Sequence, residues 1–143
     1  MEQQNYANHA RRVPGFLGLG VVLLLSFVGA CVNAYHSIGD HHRMYSAWLI
    51  LVLVLCVLVT AFFARTFALK VQDRAIRAEE NLRHFVLTGK LLDARLTPLQ
   101  IVGLRFASDG EFVELAQRAA ETGMDPKAIK QAVKNWRADH YRA

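Results

Sequence analysis

The sequence predicts an all-α fold: a transmembrane helical hairpin with a long second helix extending into the cytoplasm and a small C-terminal helical domain. Three observations predict it. Two charge-free apolar runs, 13–35 and 45–64, each match the roughly 20 residues a helix needs to cross a bilayer. From 65 to 85 no Gly or Pro interrupts a run of good helix formers. Beyond Gly89, the pairs Thr97-Pro98 and Asp125-Pro126 and the lone Gly123 mark the starts and stops of short helices.

The chain divides accordingly. Residues 1–12 form a polar N-terminus, 13–35 the first span, 36–44 a short loop and 45–65 the second span. Residues 66–87 continue the second helix, and 88–143 make a small helical domain. Pro14 suits the first turn of its helix, where its missing N–H would have no intrahelical acceptor. Arg11 and Arg12 resemble the basic start of a signal peptide. The apolar run is too long for one and lacks a small-x-small cleavage site, so it is expected to stay.

Charge placement sets the expected orientation. Arg11 and Arg12 precede the first span, and Arg65, Lys70, Arg74 and Arg77 follow the second. The loop between them carries only Arg43, set against Asp40. By the positive-inside rule both termini are cytoplasmic and the loop faces outward, which in a bacterium means the inner membrane and the periplasm. Tyr35, Tyr45 and Trp48 suit the outer headgroup layer. The middles of both spans lack ionisable side chains, which argues against a transporter or pump made by this chain alone. Cys31 and Cys56 both fall in the spans. They read as small hydrophobes, with no disulfide framework or Cys-x-x-Cys pattern.

Helix contacts are the next legible feature. Ser26, Ala30 and Ala34 repeat at four-residue spacing, which lets two backbones approach closely in lipid. The contact is either the first span on the second or another membrane protein. Past the membrane, Ala68, Val71, Ala75, Ala78, Leu82 and Phe85 recur at spacings of three and four, making one narrow apolar seam. It is expected to fold against the C-terminal segment, to pair with a second copy or to dock on a partner. Asp73 with Arg77 and Glu79 with Arg83 are placed as i,i+4 pairs on the other faces, and His84 as a partner for Glu80. A helix from 45 to 87 would be about 64 Å long, a spacer half in lipid and half in cytoplasm.

In the tail, Thr97 and Pro98 open a helix at 99–106. Ser108 or Asp109 caps one at 111–121 that Gly123 ends, and Asp125-Pro126 opens a last one at 127–139. The expected inward residues are Leu99, Val102, Leu104, Phe106, Phe112, Leu115, Ala116, Ala119, Ile129, Val133 and Trp136.

Few residues point to chemistry. His36, Asp40, His41 and His42 are the most ligand-like group, weak candidates for a divalent metal because a short loop offers little support for a third ligand. Lys127, Lys130, Lys134 and Arg137 would form a basic stripe on the last helix, able to meet anionic lipid or another polyanion. The plainer reading is a solvated face. Asp109, Glu111, Glu114 and Glu121 offset the basic residues, and the last helix lacks a base-reading cluster, so nucleic acid is not an expected partner. No P-loop, nucleophile elbow, zinc-protease or dinucleotide motif occurs; neither catalysis nor a cofactor is expected.

Four strings carry a resemblance: Gln72-Asp73-Arg74-Ala75-Ile76-Arg77-Ala78-Glu79-Glu80-Asn81-Leu82-Arg83-His84-Phe85, Ser37-Ile38-Gly39-Asp40-His41, Gly103-Leu104-Arg105-Phe106-Ala107-Ser108-Asp109 and Lys134-Asn135-Trp136-Arg137-Ala138-Asp139. Together they resemble an uncharacterised family of small bacterial two-span inner-membrane proteins, with the likeness running from Asn5 to Tyr141. The resemblance implies a bacterial inner-membrane hairpin with a cytoplasmic tail, and carries no activity or cofactor. The expected role is a non-enzymatic accessory or adaptor subunit. Its expected partners are membrane lipids and either other membrane protein subunits or further copies of itself. A tether presenting the basic helix to nucleic acid, ribosome or anionic lipid is the alternative, and a metal or redox site in the His-rich loop is the second alternative.

Overall fold

The structure, a computed structural model, describes residues 4–8 and 13–139. Arg11 and Arg12, which carry the N-terminal half of the orientation argument, lie outside these residues, as does Tyr141. Five helices follow in order: α1 (Pro14–His36), α2 (His41–Thr88), α3 (Pro98–Leu104), α4 (Asp109–Thr122) and α5 (Pro126–Ala132). The described residues contain no strand; a single antiparallel bridge joins Ala107 and Trp136. The chain forms two compact units, Arg12–Ala68 and Leu69–Ala143 together with Met1–Arg11.

In the first unit, α1 begins at Pro14 in the first helical position and ends at Ser37, whose hydroxyl donates to Ala34 O at 2.8 Å. Gly39 supplies the positive φ of +92° that the turn requires. Asp40 then caps α2, its Oδ1 accepting from the His42 and Arg43 N–H groups. Most of the less exposed positions repeat at alternating spacings of three and four: Gly20, Leu23, Phe27, Ala30 and Ala34 on α1, and Ala47, Leu51, Val54, Leu58, Ala61 and Arg65 on the first part of α2. Ala30, Ala34 and Ala47 are buried near the turn, and the Arg65 guanidinium lies 5.5 Å from the Phe16 ring at the other end. Small side chains at the buried positions are what helices in lipid need to approach closely. Ser26, expected on this face, is exposed; Phe27 takes the place, one residue along.

In the second unit, Gly89, at φ +73°, ends α2 and its N–H donates to Phe85 O at 2.8 Å. A short irregular segment, 89–97, then buries Leu92 and Leu96. Thr97 caps α3 as expected, and Gln100 completes a capping box: its side chain accepts from the Thr97 N–H at 2.7 Å and donates to Met124 O at 2.7 Å. Ser108 occupies the N-cap of α4 without a side-chain hydrogen bond, and Gly123 ends that helix in the left-handed conformation. Asp125 caps α5 through the Ala128 N–H.

Gly103 lets α3 lie against α5. A Cβ there would sit 3.2 Å from Pro126 O and 3.3 Å from Ile129 Cγ2, tight enough that α5 would have to give by a few tenths of an ångström. Leu104, Phe106, Phe112 and Ile129 are fully buried around this contact. Burial of each such side chain is worth roughly 1.5–3 kcal/mol. Of the expected inward residues, Leu104, Phe106, Phe112, Leu115, Ala116, Ala119, Ile129 and Val133 are buried, and Val102 and Trp136 partly so. Leu99 is exposed; Ile101, which the sequence reading left out, is buried instead.

The last helix is shorter than expected. It stops at Ala132, and Val133 is already extended. The physical reason is a competing set of hydrogen bonds. The Lys134 and Asn135 N–H groups donate to the Glu111 carboxylate at 3.1 and 2.9 Å. The Arg137 N–H donates to Phe106 O at 2.7 Å, and Ser108 N–H to Asn135 O at 3.0 Å. Charge-assisted bonds of the Glu111 kind are stronger than the helical ones they replace.

Asp93 stabilises the segment before α3. Its carboxylate accepts from the Arg95 backbone N–H at 2.9 Å and from the Arg95 guanidinium at 2.7–3.2 Å. The Arg95 side-chain bonds, and then its backbone bond, hold the Asp93 carboxyl at about 2, below its ordinary 3.8. The interaction therefore stabilises the fold above pH 3.8 and is lost as pH falls through about 2. In an NMR titration Asp93 is expected to show that low midpoint, and Arg95→Gln is expected to return it towards 3.8.

Candidate protein-contact surface

The distal part of α2 has two dissimilar faces. One carries Ile76, Glu80, Arg83 and His84, and it is the face that the small helical domain covers. Ile76 and Glu80 are buried, and the Arg83 side chain is only 11% exposed. Arg83 is the centre of this contact. Its Nη1 meets Glu80 Oε2 at 3.0 Å, its Nη2 donates to Ala107 O at 2.7 Å, and its Nε donates to Asp109 Oδ1 at 2.7 Å. The guanidinium also lies 4.2 Å from the Phe112 ring centroid, a cation–π arrangement in a largely desolvated place. Arg137 adds a longer contact to Glu80 at 3.8 Å. Beside it, Arg105, with only 4% of its side chain exposed, pairs with Asp139 at 3.1 Å and stacks over Phe106.

These contacts correct the expected pairing along α2. Glu79 does not pair with Arg83, because Arg83 turns the other way into the domain, and Asp73 and Arg77 form no ion pair among the described residues. An exposed pair yields only a few tenths of a kcal/mol, less than a bond to a buried carboxylate. His84 does not meet Glu80 either; its Nδ1 lies 2.7 Å from Lys90 O and 3.2 Å from Thr88 Oγ1.

The other face is the seam. Ala68, Val71, Ala75, Ala78, Leu82 and Phe85 are all exposed, with Val71 at 66%, Leu82 at 64% and Phe85 at 51%. The seam is not folded against the chain's own C-terminal segment, the first of its expected destinations. The domain instead covers the side of α2 that carries Arg83 and Ile76, the latter a large β-branched residue seven from Leu69 and seven from Arg83. That second, mixed stripe is visible in the sequence once a buried arginine is allowed to belong to it.

The remaining predicted residues are not assembled into one place. Lys127 and Lys130 lie on α5, whereas Lys134 and Arg137 lie on the extended segment after it, so the four do not form one helical stripe. Lys130 lies 5.9 Å from the Phe106 ring. His36 closes α1 and His41 opens α2, with Asp40 occupied as a cap. No cluster of three or more His, Cys, Asp or Glu able to hold a metal occurs among the described residues.

Fold and surface define a class. This is an all-α protein with two helices long and apolar enough to cross a membrane, the second running on into a small helical domain. The chain belongs to a family of unknown function, DUF6526, whose model matches residues 1–143. No curated protein and no solved structure matches it.

Proposed function

We propose that this protein is a non-enzymatic accessory or adaptor subunit of the bacterial inner membrane, anchored by the α1–α2 hairpin with both termini in the cytoplasm. The observation that carries the reading is the exposed seam. Large apolar side chains that point outward from an otherwise charged helix segment mark a surface for protein contact. The charged groups between α2 and the small domain support it from the other direction. Glu80, Arg83, Arg105 and Asp139 are engaged in contacts that hold the fold.

Two further features support the orientation. Gln4 accepts from the Asp139 N–H at 2.8 Å, and its amide donates to Asp139 O, so the N-terminal segment meets the domain that follows α2. Two ends that touch lie on one side of a membrane. Arg65, Lys70, Arg74 and Arg77 sit where the positive-inside rule wants basic residues.

Affinity purification of the tagged chain at native expression in mild detergent, read by mass spectrometry, is expected to recover a stoichiometric membrane complex. Recovery of this chain with only itself, at every expression level, would rule the adaptor role out.

A further inference from the structure

From the exposed seam and the charges that flank it, we infer that the distal part of α2 pairs with a second copy of the chain as a parallel, in-register two-stranded coiled coil. The inference rests on the membrane-anchored reading above; it gives the seam to a second copy, so that docking on a larger complex falls to the spans.

The spacing is heptad throughout. Ala68, Ala75 and Leu82 occupy a positions, and Val71, Ala78 and Phe85 occupy d positions. The residues covered by the small domain fall on the opposite side of the same wheel: Ile76 and Arg83 at b, His84 at c and Glu80 at f. The a and d residues themselves stay exposed, with Ala75 and Glu79 bordering a groove whose far wall is Arg105, Arg137 and Asp139.

Charge selects the partner and its direction. Arg74 is a g position and Glu79 is the e position of the next heptad, five residues on, which is the spacing of a g–e′ ion pair between parallel strands. Both are exposed, and neither forms an ion pair with another described residue. In a parallel homodimer Arg74 of each copy meets Glu79 of the other, giving two pairs by symmetry. Asn81, the next g position, is held by the Leu92 N–H at 3.2 Å, so the pairing charge is concentrated at 74 and 79. The membrane supplies the direction independently. Two copies with the same topology enter the lipid with α2 running the same way, so an antiparallel pairing is closed to them.

Alanine at three of the six seam positions brings the backbones close but buries little area. A seam of this length would be weak between free peptides. Confinement to a bilayer raises the effective concentration of the two strands and offsets that weakness. The outer end is wider, because Val86, at an e position, is 75% exposed beside Leu82 and Phe85.

Disulfide cross-linking in native membranes tests the pairing. The full chain would carry Cys31→Ala and Cys56→Ala and one new cysteine at a time. Ala68→Cys, Ala75→Cys, Ala78→Cys and Leu82→Cys should each give a covalent dimer, and Lys70→Cys and Arg77→Cys, at c positions, should not. Self-cross-linking at all three a positions excludes an antiparallel pair, which can bring only one of them to its own copy. Arg74→Glu or Glu79→Arg alone should reduce dimer on the order of tenfold, and the two together should restore it.

Cross-links at every position alike, at none, or to a different protein at the a and d positions would overturn the inference. So would a charge exchange that restores nothing. Carbonate extraction of the same membranes separates this failure from that of the anchor. A chain that stays in the pellet without the a/d pattern refutes the pairing alone, whereas release into the supernatant refutes the membrane reading itself.

Discussion

Arg83→Ala is expected to cost the small helical domain about 3–5 kcal/mol, because it leaves the buried Glu80 carboxylate without its close partner. Arg137, at 3.8 Å, would remain as a more distant partner. The same change removes the donor to Ala107 O, the pair with Asp109 and the cation over Phe112. Small domains have little margin, so a loss of this size is a large part of the total. Urea unfolding in detergent, followed by Trp136 fluorescence in a Trp48→Phe background, would measure it. Trp136 is a suitable reporter because its ring lies 4.9 Å from Phe106 in the core. Arg83→Lys should recover part of the loss: a lysine keeps the charge but cannot serve three acceptors with a planar fork. An unfolding midpoint unchanged in Arg83→Ala would mean that Glu80 is not held as described.

Phe112→Ala is the second large effect, at about 3–5 kcal/mol for a fully buried ring. Phe112 sits between the core and the α2 face, with His84 at 6.0 Å and the Arg83 guanidinium at 4.2 Å from its ring. Its loss opens a cavity and removes the surface on which Arg83 rests. The two substitutions should therefore be non-additive: the double variant should lose less than the two single losses combined. Glu114→Ala, on the exposed side of α4, should stay within about 0.5 kcal/mol of the parent by the same assay. A Glu114→Ala loss comparable with that of Phe112→Ala would show that the exposed side of α4 is part of the core.

Together these expectations separate two uses of one helix. Residues at b, c and f, with Asn81 at g, hold the chain's own domain, and residues at a and d are exposed. Their substitutions should divide in the same way, the first group acting on stability and the second on association.

The sequence by itself determined the helices and their punctuation. Apolar length marked the two long helices, Thr97-Pro98 and Asp125-Pro126 marked two helix starts, and Gly89 and Gly123 marked two ends. All of these are local effects of backbone geometry and capping. The seam was legible as a pattern for the same reason, since periodicity is a property of one helix. The capping-box role of Gln100 was legible too, as Thr97-x-x-Gln100.

Which face of α2 the domain would cover was not. Hydrophobic periodicity favours the alanine-rich seam, but the choice was made by Arg83, whose partners at 80, 107 and 109 include two distant in sequence. The end of α5 was decided in the same way. Nothing local stops a helix at Ala132; the Glu111 carboxylate and Phe106 O, from elsewhere in the fold, take the N–H groups that a longer helix would have used. Local rules fix where helices begin and end when caps do the work, and tertiary structure decides wherever a buried charge or a distant acceptor competes for the same groups.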